Sequence, residues 1–153
     1  MSTLKRTILF GTVSGLMWSI VPLTVSELWS SVGQTVSVLV AGSVTGVCVS
    51  LIICQPLCRI NSKVVHLGFY SLPLGGFLFG VIVSFTQLGA KLLTGASYRY
   101  LEHGFHPFLT GAQWALCSVF SAFGFVLVPL AVGTTYLLRN IVCRNRSTIG
   151  SSQ

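Results

Sequence analysis

The chain has 153 residues, enough for one compact unit. Only 7% of them are charged and 52% are hydrophobic, whereas a soluble domain carries about 25% charged residues, so the composition excludes a fully water-solvated surface and implies contact with lipid. The acids are two, Glu27 and Glu102, against nine Lys and Arg, and the net charge is +7; these cations are scattered between apolar runs, a pattern of membrane-topology signals and not of a nucleic-acid-binding patch.

The first long apolar run lies between Arg6 and Glu27 and gives a span over about 7–27. It follows Lys5 and Arg6 as a signal-peptide core would, but it is longer than such a core. It also holds Trp18 and Pro22, with no small-residue cleavage box, so it reads as a span. The second span covers about 35–55 and stops before Pro56, carrying Ser37, Ser43, Thr45 and Ser50 among its apolar residues. The third covers about 67–90 and is bounded by Lys91; Pro73 either lies within it or marks its first turn, in which case 60–72 forms a short interfacial segment. The fourth covers about 111–138, bounded by Arg139, with Pro129 inside it and a basic tail at 139–153. Each run reaches the roughly 20 residues that a membrane-crossing helix needs. The expected fold is all-α: one domain over 1–153, a polytopic bundle of four transmembrane helices.

Lys5, Arg6, Arg59, Lys63, Arg139, Arg144 and Arg146 fall on one side of this arrangement, and only Lys91 and Arg99 on the other. The positive-inside rule then places both termini in the cytoplasm, in a plasma or bacterial inner membrane. Trp18, Trp29, Trp114 and Tyr136 fall mostly near the expected interfaces, where an aromatic belt would sit.

Lipid supplies no hydrophobic drive between helices, so association depends on close backbone approach at small residues. Gly11 and Gly15, Gly42 and Gly46, and Gly76 and Gly80 each form a pair on one helix face. They serve packing inside the bundle or an interface with a partner subunit. The densest polar cluster is the outer loop with Tyr98, Arg99, Glu102, His103 and His106. His103, His106 and Glu102 could approach a metal, but no fourth ligand completes a site, and the loop reads as structural or partner-binding. His66 lies at the opposite end of the third span, which argues against a bis-His haem within one chain. The five Cys are odd in number and none is on the outer side, so no disulfide framework is expected.

No Asp is present, no carboxylate pair can form a general acid and base, and no phosphate-cradling glycine loop occurs. No catalysis, cofactor or metal is therefore expected. The first functional expectation is an accessory or structural subunit whose partners are other membrane protein subunits and the lipid bilayer. The alternative is a small homo-oligomeric channel or transporter for a neutral or small solute, supported by the hydroxyl-bearing second span and the prolines.

Overall fold

The computed structural model describes residues 3–25, 32–59, 64–95, 104–120 and 124–143. Among them lie five helices and no strand: α1 Thr3–Val25, α2 Val32–Arg59, α3 Val64–Thr94, α4 Pro107–Phe120 and α5 Gly124–Cys143. Of these, α2 over Val32–Leu57 and α3 over Val64–Leu93 are long and apolar enough to cross a membrane.

The prolines break less than the sequence suggests. The second span does not stop before Pro56; α2 runs through it to Arg59. Likewise α3 starts at Val64 and carries Pro73 in its interior, so there is no separate segment ahead of Pro73. A proline inside a helix forfeits one hydrogen bond and bends the rod, but flanking turns continue when packing holds them. α3 closes where Gly95, at φ 68°, donates its N–H to the Lys91 carbonyl at 2.8 Å, a left-handed cap that glycine adopts without steric cost.

The fourth expected span, 111–138, falls on two described helices: α4 ends at Phe120 and α5 starts at Gly124, with 121–123 outside the described residues. Both helices follow the same track. Gly80 meets Gly111, and Gly76 meets Trp114 and Ala115. Further along, Leu72 clusters with Leu127 and Ala131, Gly68 meets Val132, and Val64 clusters with Leu138. As the α3 number falls the partner number rises, so α4 and α5 run in succession antiparallel to α3. At 1.5 Å per residue, α3 is about 46 Å long and α4 only about 21 Å; two short helices are needed to accompany the long one. Gly124 is a poor helix former, and Pro129 cannot donate to the carbonyl of Phe125, which together weaken the first turns of α5.

α1 is antiparallel to α2, with Gly11 against Val47 and Ser19 within 3.4 Å of the Val38 carbonyl. α2 is antiparallel to α3, with Thr86 reaching the Ser37 carbonyl at 3.5 Å and Ile53 and Leu57 clustered with Val64. α5 returns beside α1, since Leu127 and Ala131 pack with Trp18 and Val21. Among the described residues the five helices form a bundle in which α1, α2 and α3 alternate in direction and α4 and α5 both run antiparallel to α3.

Many large apolar side chains face outward, among them Val13, Met17, Val36, Val40, Phe69, Phe85, Phe108 and Phe120, while the interior mixes apolar residues such as Val38, Phe79 and Val83 with Thr7, Ser19, Ser37, Ser84, Gln87 and Thr135. Several buried hydroxyls are satisfied locally. Ser19 donates to Gly15 O at 2.8 Å, Ser84 to Gly80 O at 2.8 Å and Thr135 to Ala131 O at 2.7 Å, each bonding back one turn along its own helix.

Candidate functional site

The six glycines lie at two helix contacts within this chain. A Cβ on Gly11 would stand 2.7 Å from the Val47 Cα, and one on Gly46 would stand 2.7 Å from the Gly15 Cα. Gly15 and Gly42 face each other so closely that a Cβ on either would strike the other's backbone. On the far side of the bundle a Cβ on Gly80 would be 2.7 Å from the Gly111 Cα, and one on Gly76 would be 2.7 Å from the Trp114 carbonyl. Gly111, on the α4 side of that contact, is a seventh member that the pairwise spacing in the sequence does not single out.

Of the outer-loop cluster, Tyr98, Arg99, Glu102 and His103 lie outside the described residues, as does Glu27. His106 is exposed at the start of α4, where its carbonyl accepts from the Thr110 N–H at 3.0 Å and from Thr110 Oγ1 at 3.1 Å. Gly104, at φ 98°, turns the chain just before it, and Phe105 stacks edge-on against Phe85 at 5.2 Å. That stack sets His106 near residue 85 of α3, and His66 is 19 residues earlier on the same helix, a rise of about 28 Å. The two imidazoles therefore cannot share one iron. Among the described residues no three His, Cys, Asp or Glu side chains come together.

The structure brings together a different set of residues in a cavity of about 220 Å³ inside the bundle. Every helix contributes. α1 supplies Ser14 and Trp18, and α2 supplies Thr45 and Ser50. Ser71 and Gly75 come from α3, Trp114 and Cys117 from α4, and Thr134 and Thr135 from α5. The space exists because α4 follows α3 and touches α5 only lightly, so it does not close on α1 as α5 does lower down. Gly75 enlarges it: nothing but Val49 Cγ2, at 3.9 Å, approaches the position of its Cβ.

Among the described residues the walls are apolar with hydroxyls and no charge. Lys, Arg, His, Asp and Glu are all missing from this described lining, so an ion inside would meet no counter-charge from it in a low-dielectric space. Ser71 donates to Gly68 O at 2.6 Å, Ser118 to Ala115 O at 2.8 Å and Thr134 to Ala131 O at 3.0 Å. With their protons committed to carbonyls, these hydroxyls retain lone pairs as acceptors. Thr45 differs: it is 7% exposed and its Oγ1 has no hydrogen-bond partner. Gln87, fully buried outside this lining, also leaves both amide atoms unpartnered.

Two tryptophans expected near membrane interfaces line the cavity. Trp114 packs edge-to-face on Phe79 with centroids 5.1 Å apart, and Trp18 is half-buried against Leu127 and Ala131. Cys117, expected as a small packing residue, is exposed and lines the cavity at the same time, which places it at an opening. The hydroxyls were visible in the sequence at helical spacing; an unfilled space between helices has no sequence signature. No protein-family model, curated protein or solved structure matches the chain.

Proposed function

We propose that the chain is an integral membrane protein with four crossings and cytoplasmic termini, acting without catalysis to hold or pass a small uncharged solute through its own interior. The single observation that carries the solute reading is the 220 Å³ hydroxyl-bearing, charge-free cavity between all five helices. Membrane insertion is supported by the many large apolar side chains on the outer surface and by the two long apolar helices. Orientation follows from the bias of Lys and Arg toward the ends that carry the termini.

This ordering differs from the one that composition favours. The accessory-subunit reading drew on glycine faces left over for a partner, and Gly11, Gly15, Gly42, Gly46, Gly76 and Gly80 all meet helices of the same chain. One observation still favours that second reading. The short α4 presents Phe108, Leu109, Leu116 and Phe120, between 59% and 81% exposed, as one side of an otherwise slender leg, a face another membrane subunit could cover.

The test is solute-driven shrinkage and reswelling of liposomes containing the purified chain, followed by light scattering for urea, glycerol and short alcohols. Faster re-equilibration than in protein-free vesicles, returned to baseline by Gly75→Leu, is the expected outcome. Rates equal to those of empty vesicles for every solute would sink this reading. Native mass spectrometry in mild detergent addresses the second: a stable complex with different chains would put the accessory role first. Reporter fusions at both ends check the orientation.

A further inference from the structure

We infer that the cavity is a binding site for one uncharged molecule slightly larger than benzene, with an apolar body and a single O–H or N–H donor, entering sideways from the bilayer between α1 and α4. This deepens the solute reading above and rests on it for the presence of lipid at the opening.

Size sets the first bound. An apolar cavity of about 150 Å³ takes benzene, and pockets for drug-sized ligands start at about 300 Å³; 220 Å³ lies between. A whole lipid exceeds this space, and water gains little from its mostly apolar wall. Charge sets the second bound, since no Lys, Arg, His, Asp or Glu among the described residues lines the space. Hydrogen bonding sets the third. Ser71, Ser118 and Thr134 have donated their protons to helix carbonyls and offer acceptors, which suits a ligand that brings a donor. Thr45 is the anchor we assign. Ser43 bonds back one turn to Leu39 O at 2.8 Å, but the buried Thr45 Oγ1 makes no such bond. A threonine in a helix has two accessible χ1 rotamers, and a step of about 120° between staggered wells presents Oγ1 in place of the methyl. Trp18 and Trp114 supply flat walls suited to a ring.

The entry route follows from packing. α4 lies on α3, and its Cys117 both lines the cavity and reaches the surface. Trp18 and Val21 line the cavity from α1. The exteriors of the two helices are apolar, with Met17 and Ile20 exposed on α1 and Leu116 and Phe120 on α4. A solute already partitioned into lipid reaches the opening without crossing water.

The experiment uses tryptophan fluorescence of the full chain in lipid nanodiscs. Trp29→Phe leaves Trp18 and Trp114, both on the cavity wall, as the emitters. The probe is 4-bromophenol, whose bromine quenches at contact; bromobenzene lacks the donor and 4-bromobenzoate carries a charge. The expected result is saturable quenching by 4-bromophenol, binding of bromobenzene weaker by about fivefold, the size of one net hydrogen bond, and no saturable phase with 4-bromobenzoate. Thr45→Val should weaken 4-bromophenol by a similar factor and leave bromobenzene unchanged. Gly75→Leu, which fills the space without striking backbone, should abolish saturation for both with helix content intact.

Quenching that rises linearly and equally in the parent and in Gly75→Leu would mean partition into lipid only and overturn the site. Equal affinity for phenol and bromobenzene, or saturable benzoate binding, would overturn the ligand class. The two readings separate cleanly. Saturable binding without flux in liposomes removes solute passage and keeps the site, and flux without saturable quenching does the reverse.

Discussion

The two flanks of α1 are built on opposite principles. Toward α2 it is sealed: Gly11, Gly15, Gly42 and Gly46 bring two backbones together so closely that a single added carbon collides with main chain. Toward α4 it is open: the space between Trp18 and Trp114 is walled by side chains but left unfilled. Both flanks are rich in small residues, and only their surroundings differ. Small residues create close approach where a second helix is free to move in, and a cavity where a neighbouring helix is held elsewhere. Here α4 is held by Gly76, Gly80 and Gly111 against α3, so it does not collapse onto α1.

Substitutions can break this comparison or sharpen it. The largest effect is expected from Gly15→Leu. Its side chain would enter the Gly42 carbonyl and the Ser43 backbone, a collision above the usual overpacking cost of about 1–3 kcal/mol. Loss of the folded state in a detergent-unfolding titration is the expected outcome, and an unchanged midpoint would show that the sealed seam does not exist. Gly111→Leu comes next, at about 2–3 kcal/mol, because the Phe77 carbonyl and the flexible Val81 share the collision. It should separate α4 from α3, read as a red shift of Trp114 emission.

Gln87→Leu should act in the other direction. Both amide atoms are buried without partners, so an apolar side chain of similar size removes a penalty of about 1–3 kcal/mol and raises the unfolding midpoint. Destabilisation instead would mean that a bound group satisfies Gln87. Gly133→Ala is the smallest and the cleanest control. Nothing lies within 4 Å of its Cβ position, and alanine favours helix by up to about 1 kcal/mol. A gain here with a loss at Gly15 would show that packing, and not glycine content, sets the effect of a substitution.

Much of the bundle could be read in advance because it depends on local pattern. Apolar runs between Arg6, Lys91 and Arg139 pointed to an all-helical chain, and the described residues form five helices and no strand. What the runs could not give is how a helix passes a proline. Pro56 was read as a stop, and Pro73 as either interior or a first turn, whereas α2 and α3 continue through them with Leu57 and Leu72 buried on the neighbouring turns. Trp18 and Trp114 were assigned by depth along a span, which does not say whether a ring points outward or inward.

The sequence by itself determined that the chain is helical, that it is poor in charge, and that some of its helices are long and apolar enough to cross a membrane. Those properties follow from composition and period alone. Only the tertiary structure decided which glycines meet backbone and which border empty space, and that hydroxyls from five helices converge on one cavity. A cavity is set by where helices are prevented from touching, which is a property of three-dimensional packing and leaves no periodic trace along the chain.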